Sequence, residues 1–283
     1  MVELASASLS ASRERVARSG EQLSSGERVS RPSDDPDAWA AARRADAART
    51  MNEGRGQALA RSQDRLTQVD AALAQIGSAL SRANELAVAA ASDTIDPESL
   101  AAIGVELRGL RQSALAAANS RGTDGEYILA GNQSNVAPFG DDGVYQGDGA
   151  VRSIETQSSG IEQEVSVSGS VLTAASGIDI FAALDAFAEA LASNDRDAIT
   201  ASIGALRDGH QQVSAARADG GAKSAALLAA EDDQRRLDGS LVALHSRLIG
   251  ADPIAAASEL AQHTQSLEAA QVVAQRIIEL TRP

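Results

Sequence analysis

The chain has 283 residues, room for one large or two modest domains at about 150 residues each. It carries 25 basic against 39 acidic side chains, a net charge of −14, and Lys223 is its one lysine. That balance excludes a basic nucleic-acid face, and the lack of cysteine excludes disulfides, thiolate nucleophiles and Cys-ligated zinc.

Aromatic residues are 2% of the chain, and alanine dominates its apolar content, so thin helical packing is expected rather than a thick globular core. No run approaches the 18 apolar residues of a membrane span, so no membrane insertion is expected. The N-terminus has no cation before Arg13 and no apolar core after it, which does not fit a cleavable secretory signal.

The first 25 residues place Leu9, Val16 and Leu23 seven apart, a sparse amphipathic stripe. Asp35-Pro36, Asp96-Pro97 and Asp252-Pro253 each read as an N-cap carboxylate followed by proline at the first helical position. After the first of these, Leu59, Leu66, Val69, Leu73, Ile76, Leu80, Ala83, Ala87 and Ala90 form a heptad seam. The spacing predicts one helix over residues 37–92, about 80 Å long. A shorter helix follows Pro97, through Leu100, Ile103, Leu107, Leu110, Ala114 and Ala117.

Residues 122–177 are rich in glycine and hold both tyrosines. The runs Tyr127-Ile128-Leu129, 151–155 and Val165-Ser166-Val167 predict short strands between turns, a small β insertion that projects outward. A short helix with Ile180, Leu184, Phe187 and Leu191 on one face comes next. Sevenfold spacing then returns through Ile199, Leu206, Val213, Gly220, Leu227, Gln234, Leu241 and Leu248, with Leu237 and Leu244 alongside, predicting a helix over about 195–249 antiparallel to the first long one. The weak seam positions Gly220, Lys223 and Gln234 set register and leave room for another subunit. The last 30 residues repeat the sparse stripe at Leu260, Leu267 and Ala274. Neither terminal stripe can bury itself alone, so the two ends are expected to pair with each other and with neighbouring molecules.

No catalytic constellation is visible. His210, His245 and His263 fall on predicted helices without HxxxH or HExxH spacing, and read as solvated or seam-edge residues. Gly54-Arg55-Gly56 has neither the preceding strand nor the third glycine of a dinucleotide loop. Asp141, Asp142 and Asp148 lack the calcium-loop pattern and read as acidic turns. No enzyme activity, cofactor or metal is expected.

The most informative segment is Leu23-Ser24-Ser25-Gly26-Glu27-Arg28-Val29-Ser30-Arg31-Pro32-Ser33-Asp34-Asp35-Pro36, where Gly26 can end one helix, Pro32 stiffens the crossing and Asp35 can cap the next. It resembles the signature LSSGKRVNRPSDDP of the flagellar hook-associated protein 3 family, the flagellin-related hook-filament junction proteins. The runs 122–131, Pro138-Phe139, 143–148, 177–181 and 267–270 resemble that family too, so the resemblance covers nearly the whole chain.

The resemblance implies a mainly α, flagellin-like fold: an elongated antiparallel helical bundle with coiled-coil-like seams and a small β insertion. It implies a non-enzymatic structural adaptor outside the cell, exported through the flagellar channel. The implied partners are further copies of itself in a ring, a hook-side junction protein, flagellin, and an export chaperone before secretion. The expected assembly loop is Leu23, Ser24, Ser25, Gly26, Arg28, Pro32, Ser33, Asp34, Asp35 and Pro36. The expected helical seam is Leu66, Leu73, Leu80, Leu206, Val213, Leu227, Leu241 and Leu248. The expected division is a terminal assembly domain from 1–36 and 251–283, a helical rod from 37–121 and 178–250, and the β insertion at 122–177. A flagellin-type filament subunit is the alternative; an adhesin or hydrolase activity in the insertion is an alternative of another class.

Overall fold

A computed structural model describes residues 2–92, 94–156 and 162–281. Among them are six α-helices, α1 (Val2–Ser25), α2 (Pro36–Ala90), α3 (Pro97–Ala118), α4 (Ile180–Ser193), α5 (Arg196–Ile249) and α6 (Pro253–Thr281), and two short antiparallel strands, β1 (Ser153–Glu155) and β2 (Glu162–Glu164). The predicted helices are all present. The three Asp-Pro marks do what their chemistry suggests. Asp35 accepts the Ala38 N–H at 3.0 Å, Asp96 that of Ser99 at 2.8 Å and Asp252 that of Ile254 at 2.9 Å, with proline opening the helix each time.

The chain divides into two compact units. The first comprises Met1–Glu53 and Arg235–Pro283. Here α1 packs on α6. Ser12 and Ser19 are buried on α1, while α6 turns Ala256, Leu260, His263, Leu267, Ala270, Ala274 and Ile277 partly or wholly away from solvent, a heptad stripe narrow enough to need only one partner helix. The start of α2 lies along the end of α5. Arg49 meets Asp238 at 3.2 Å, and one turn back along α2 and two on along α5 Asp46 meets His245 at 3.2 Å, as antiparallel helices require.

The second unit, Gly54–Gln234, holds the main core. Its parts of α2 and α5 are also antiparallel: Gln63 bonds Ser224 at 2.6 Å, Asp70 pairs with Arg217 at 2.8 Å, and Arg196 donates to the Ala90 carbonyl at 2.9 Å. Leu59, Leu66, Leu73, Leu80, Leu206, Val213 and Leu227 are buried between them, and α3 and α4 complete the packing with Leu107, Phe181, Leu184 and Phe187.

The insertion departs from expectation. Ile128, Leu129, Phe139, Val165, Val167 and Leu172 are all buried in this same core, so the segment is folded onto the helices and does not project outward. Tyr127 makes only an isolated bridge to Arg121, and Val165-Ser166-Val167 lies beyond β2. The apolar character of these runs comes from packing on helices, and their backbone groups are satisfied locally, as where Ile128 donates to Ser120 at 3.2 Å. Two of the weak seam positions on α5, Gly220 and Lys223, are where the insertion docks, while Gln234 stands against Gly56 of α2. A Cβ on Gly220 would stand 3.6 Å from Val167, and Lys223 reaches Glu164 at 2.9 Å and the Ser166 carbonyl at 3.1 Å. At Gly169 a Cβ would lie 2.8 Å from the Leu129 carbonyl oxygen, so only glycine fits that approach.

Candidate assembly loop

The loop between α1 and α2 is built from its backbone outward. Helix α1 ends because Gly26 adopts φ +73°, a left-handed turn that costs glycine little, while its N–H still bonds the Gln22 carbonyl at 2.9 Å. Arg31, Pro32, Ser33 and Asp34 then form a β-turn, with proline at its second position and the Asp34 N–H donating to Arg31 at 3.0 Å. The Asp34 carboxylate reaches back to the N–H groups of Ser30 at 3.1 Å and Arg31 at 2.9 Å. Asp35 follows as the cap of α2. The loop is thus a turn closed by one aspartate and a helix start closed by the next.

Both carboxyls are held below their ordinary value of 3.8. The N–H of Arg31 is the main cause for Asp34 and the N–H of Ala38 for Asp35, because each donor bonds the ionised carboxylate more strongly than the neutral acid.

The loop is also tied to the turn between α5 and α6. Arg28 donates its backbone N–H to the Ile249 carbonyl at 2.6 Å, Ala251 donates to Gly26 at 2.8 Å, and Glu27 and Gly250 form an antiparallel bridge. The Arg28 guanidinium spans the junction, bonding Asp35 at 3.2 Å and the Leu248 carbonyl at 3.0 Å. Beneath it Val29, fully buried, packs with Ala42 and Ile249, flanked by Ala38, Trp39 and Leu248.

Of the expected loop residues, Gly26, Arg28, Asp34 and Asp35 make these ties. Ser24, Pro32, Ser33 and Pro36 lie on the surface, with Leu23 40% exposed at the end of α1. Ser25 accepts the Glu27 N–H at 3.1 Å. The anchor absent from the expectation is Val29, whose signal was legible: it is the one large aliphatic side chain between Leu23 and Trp39. The expected seam residues divide. Leu66, Leu73, Leu80, Leu206, Val213 and Leu227 are buried in the second unit, whereas Leu241 and Leu248 are only half-buried in the first.

The other sequence candidates are occupied structurally. Gly54-Arg55-Gly56 lies inside α2. Asp142 accepts the Val144 N–H at 3.0 Å, and Asp148 accepts those of Asn132 and Ala150, each at 3.0 Å, so both carboxylates brace turns.

A helix-loop-helix start hydrogen-bonded to the turn between α5 and α6 is a flagellin-like arrangement. Residues 2–134 match the bacterial flagellin N-terminal helical region. More particularly, the chain is similar to flagellar hook-associated protein 3 of Escherichia coli (strain K12), with 31% identity over 190 residues, covering 67% of this chain and 56% of that protein. The chain spans about half the length of the curated relatives it matches. Among solved structures, one assigned to a flagellar hook-associated protein of Vibrio parahaemolyticus has a TM-score of 0.71 at 16% identity, covering 77% of this chain and 100% of that one. The flagellar junction protein of Legionella pneumophila has a TM-score of 0.57 at 14% identity, covering 74% and 100%. The structures share the fold; the sequence relative upholds the resemblance carried by the loop motif.

Proposed function

We propose that the chain is a structural component of the bacterial flagellum, an adaptor at the hook-filament junction. The observation that carries this reading is the agreement of two independent features: a relationship to hook-associated protein 3 over two thirds of the chain, and a motif loop whose aspartates and Arg28 serve to hold geometry. Its carboxylates are committed to backbone donors, which suits a stiff mounting point for contacts between identical subunits rather than acid-base chemistry. The role is structural and not enzymatic. The partners are further copies of the chain in a ring, a hook-side junction protein and flagellin. The place is the flagellum outside the cell, reached through the flagellar channel with a chaperone's help beforehand.

A flagellin-type filament subunit is the competing reading, since the flagellin N-terminal region is present. Electron microscopy of the purified chain under polymerising conditions separates them. A junction adaptor gives no long filaments; a filament subunit does.

A further inference from the structure

A cleft of about 580 Å³ lies between α2 and the insertion in the second unit, within the size range of small-molecule sites. Its polar wall is rich in arginine. Arg61 and Arg65, one turn apart on α2, and Arg152, just before β1, line it together with Asp124 and Glu126, so three guanidinium groups stand against two carboxylates. That is a local excess of positive charge in a unit, Gly54–Gln234, that holds 12 basic against 25 acidic residues. The rest of the lining is largely aliphatic, with Val151, Ile154 and Val165.

These charges are unequally committed. Glu126 pairs with Arg152 at 2.9 Å and with Arg65 Nη1 at 3.5 Å, and Asp124 stands 3.6 Å from the same nitrogen. Arg65 Nη2 donates to the carbonyls of Tyr127 at 2.9 Å and Ile128 at 3.3 Å. Two donors are left over. Arg65 is only 9% exposed, and its buried Nε has no hydrogen-bond partner among the described residues. Arg61 is exposed and makes no hydrogen bond or ion pair among the described residues. A buried N–H without an acceptor is costly, and burial, followed by the neighbouring Arg152 charge, disfavours the charged form of Arg65, which Asp124 and Glu126 only partly offset. An anion in the cleft relieves both strains.

We infer that this cleft binds a carboxylate carried on a short aliphatic body, with Arg61 and Arg65 Nε taking the charged end and Val151, Ile154 and Val165 the methylenes. The same chemistry is offered by a small free acid and by a glutamate side chain of a protein partner, and the test separates the two.

The test follows the buried Arg65 Nε–Hε resonance of the full chain by proton–nitrogen NMR while glutarate is added. A saturable shift is expected, half complete at about 1 mM or below, with no shift from the neutral diamide glutaramide. Arg61→Gln alters an exposed residue that bonds nothing, so it should leave the melt unchanged and weaken glutarate about tenfold or more. Arg108→Gln, at an exposed arginine of α3 outside the cleft, should leave binding unchanged. N-acetylglutamate N-methylamide binding more tightly than glutarate identifies a protein side chain as the source of the carboxylate, and binding more weakly identifies a free acid. Sulfate binding as tightly as glutarate overturns the assignment of a carboxylate on an aliphatic body. No saturable shift up to about 20 mM glutarate, an equal shift from glutaramide, or equal losses in the two arginine variants overturns the site itself.

Discussion

Arg28 donates its backbone N–H to the Ile249 carbonyl at 2.6 Å, so the loop that leads into α2 and the turn that leaves α5 form one hydrogen-bonded piece. Residues more than 200 positions apart thereby set each other's geometry.

The first prediction concerns acid. Asp34 and Asp35 have folded pKa values below the ordinary 3.8, so their ionised bonds stabilise the fold above that value. That contribution is lost as pH falls below it, through the folded values. Trp39, the only tryptophan, sits beside Val29 and Ile249 and should report this as a change in emission below about pH 4. Asp34→Asn with Asp35→Ser, which keeps a capping oxygen, should shift or remove the transition. An unchanged titration would place the acid response elsewhere.

Burial ranks the leucines of the heptad seams. Leu73 and Leu80 are 0% exposed in the core of the second unit, and Leu80→Ala should cost about 2–5 kcal/mol through lost burial and an unfilled cavity. Leu241 is half-buried, so Leu241→Ala should cost about 1 kcal/mol, its side chain losing only part of its packing. Denaturant melts of the two variants compare them directly, and equal losses would contradict the packing described.

Gln212 clamps the end of the insertion and the residue that follows it. Its side-chain oxygen accepts the Ile178 N–H at 2.7 Å, and its nitrogen donates to the carbonyls of Val171 at 2.8 Å and Ile178 at 2.9 Å. Gln212→Ala strands these groups and should cost about 1–3 kcal/mol. Gln212→Glu sets a charged acceptor against two carbonyl oxygens and should be worse than alanine. A glutamate variant as stable as wild type would mean that the nitrogen bonds contribute nothing.

The helices were legible because each signal was local and redundant. Asp-Pro pairs marked three starts, and Leu59 to Ala90 repeated one spacing long enough to define a face. The insertion was not, because alternation in Val165-Ser166-Val167 reads the same whether the buried side chains face a sheet or a helix. Gly220 and Lys223 looked like faults in a seam when they are the receiving surface for Val167 and Glu164, contacts set by residues more than 50 positions away. At the loop, the roles of Asp35 and Gly26 followed from capping chemistry, but Val29 became an anchor only through Ile249, which no local pattern links to it. The half-exposure of Leu241 and Leu248 likewise has no mark in their heptad spacing, which is the same as that of the buried Leu206 and Leu227.

The most direct test of the adaptor reading is electron microscopy of cells deleted for this chain, with an immunoblot of the medium for flagellin. The adaptor account predicts hooks without filaments and flagellin released into the medium, restored to attached filaments by the wild-type chain. Filaments still attached in the deletion strain would contradict it, as would bare hooks with no separate flagellin in the medium, the result expected if this chain were the filament subunit.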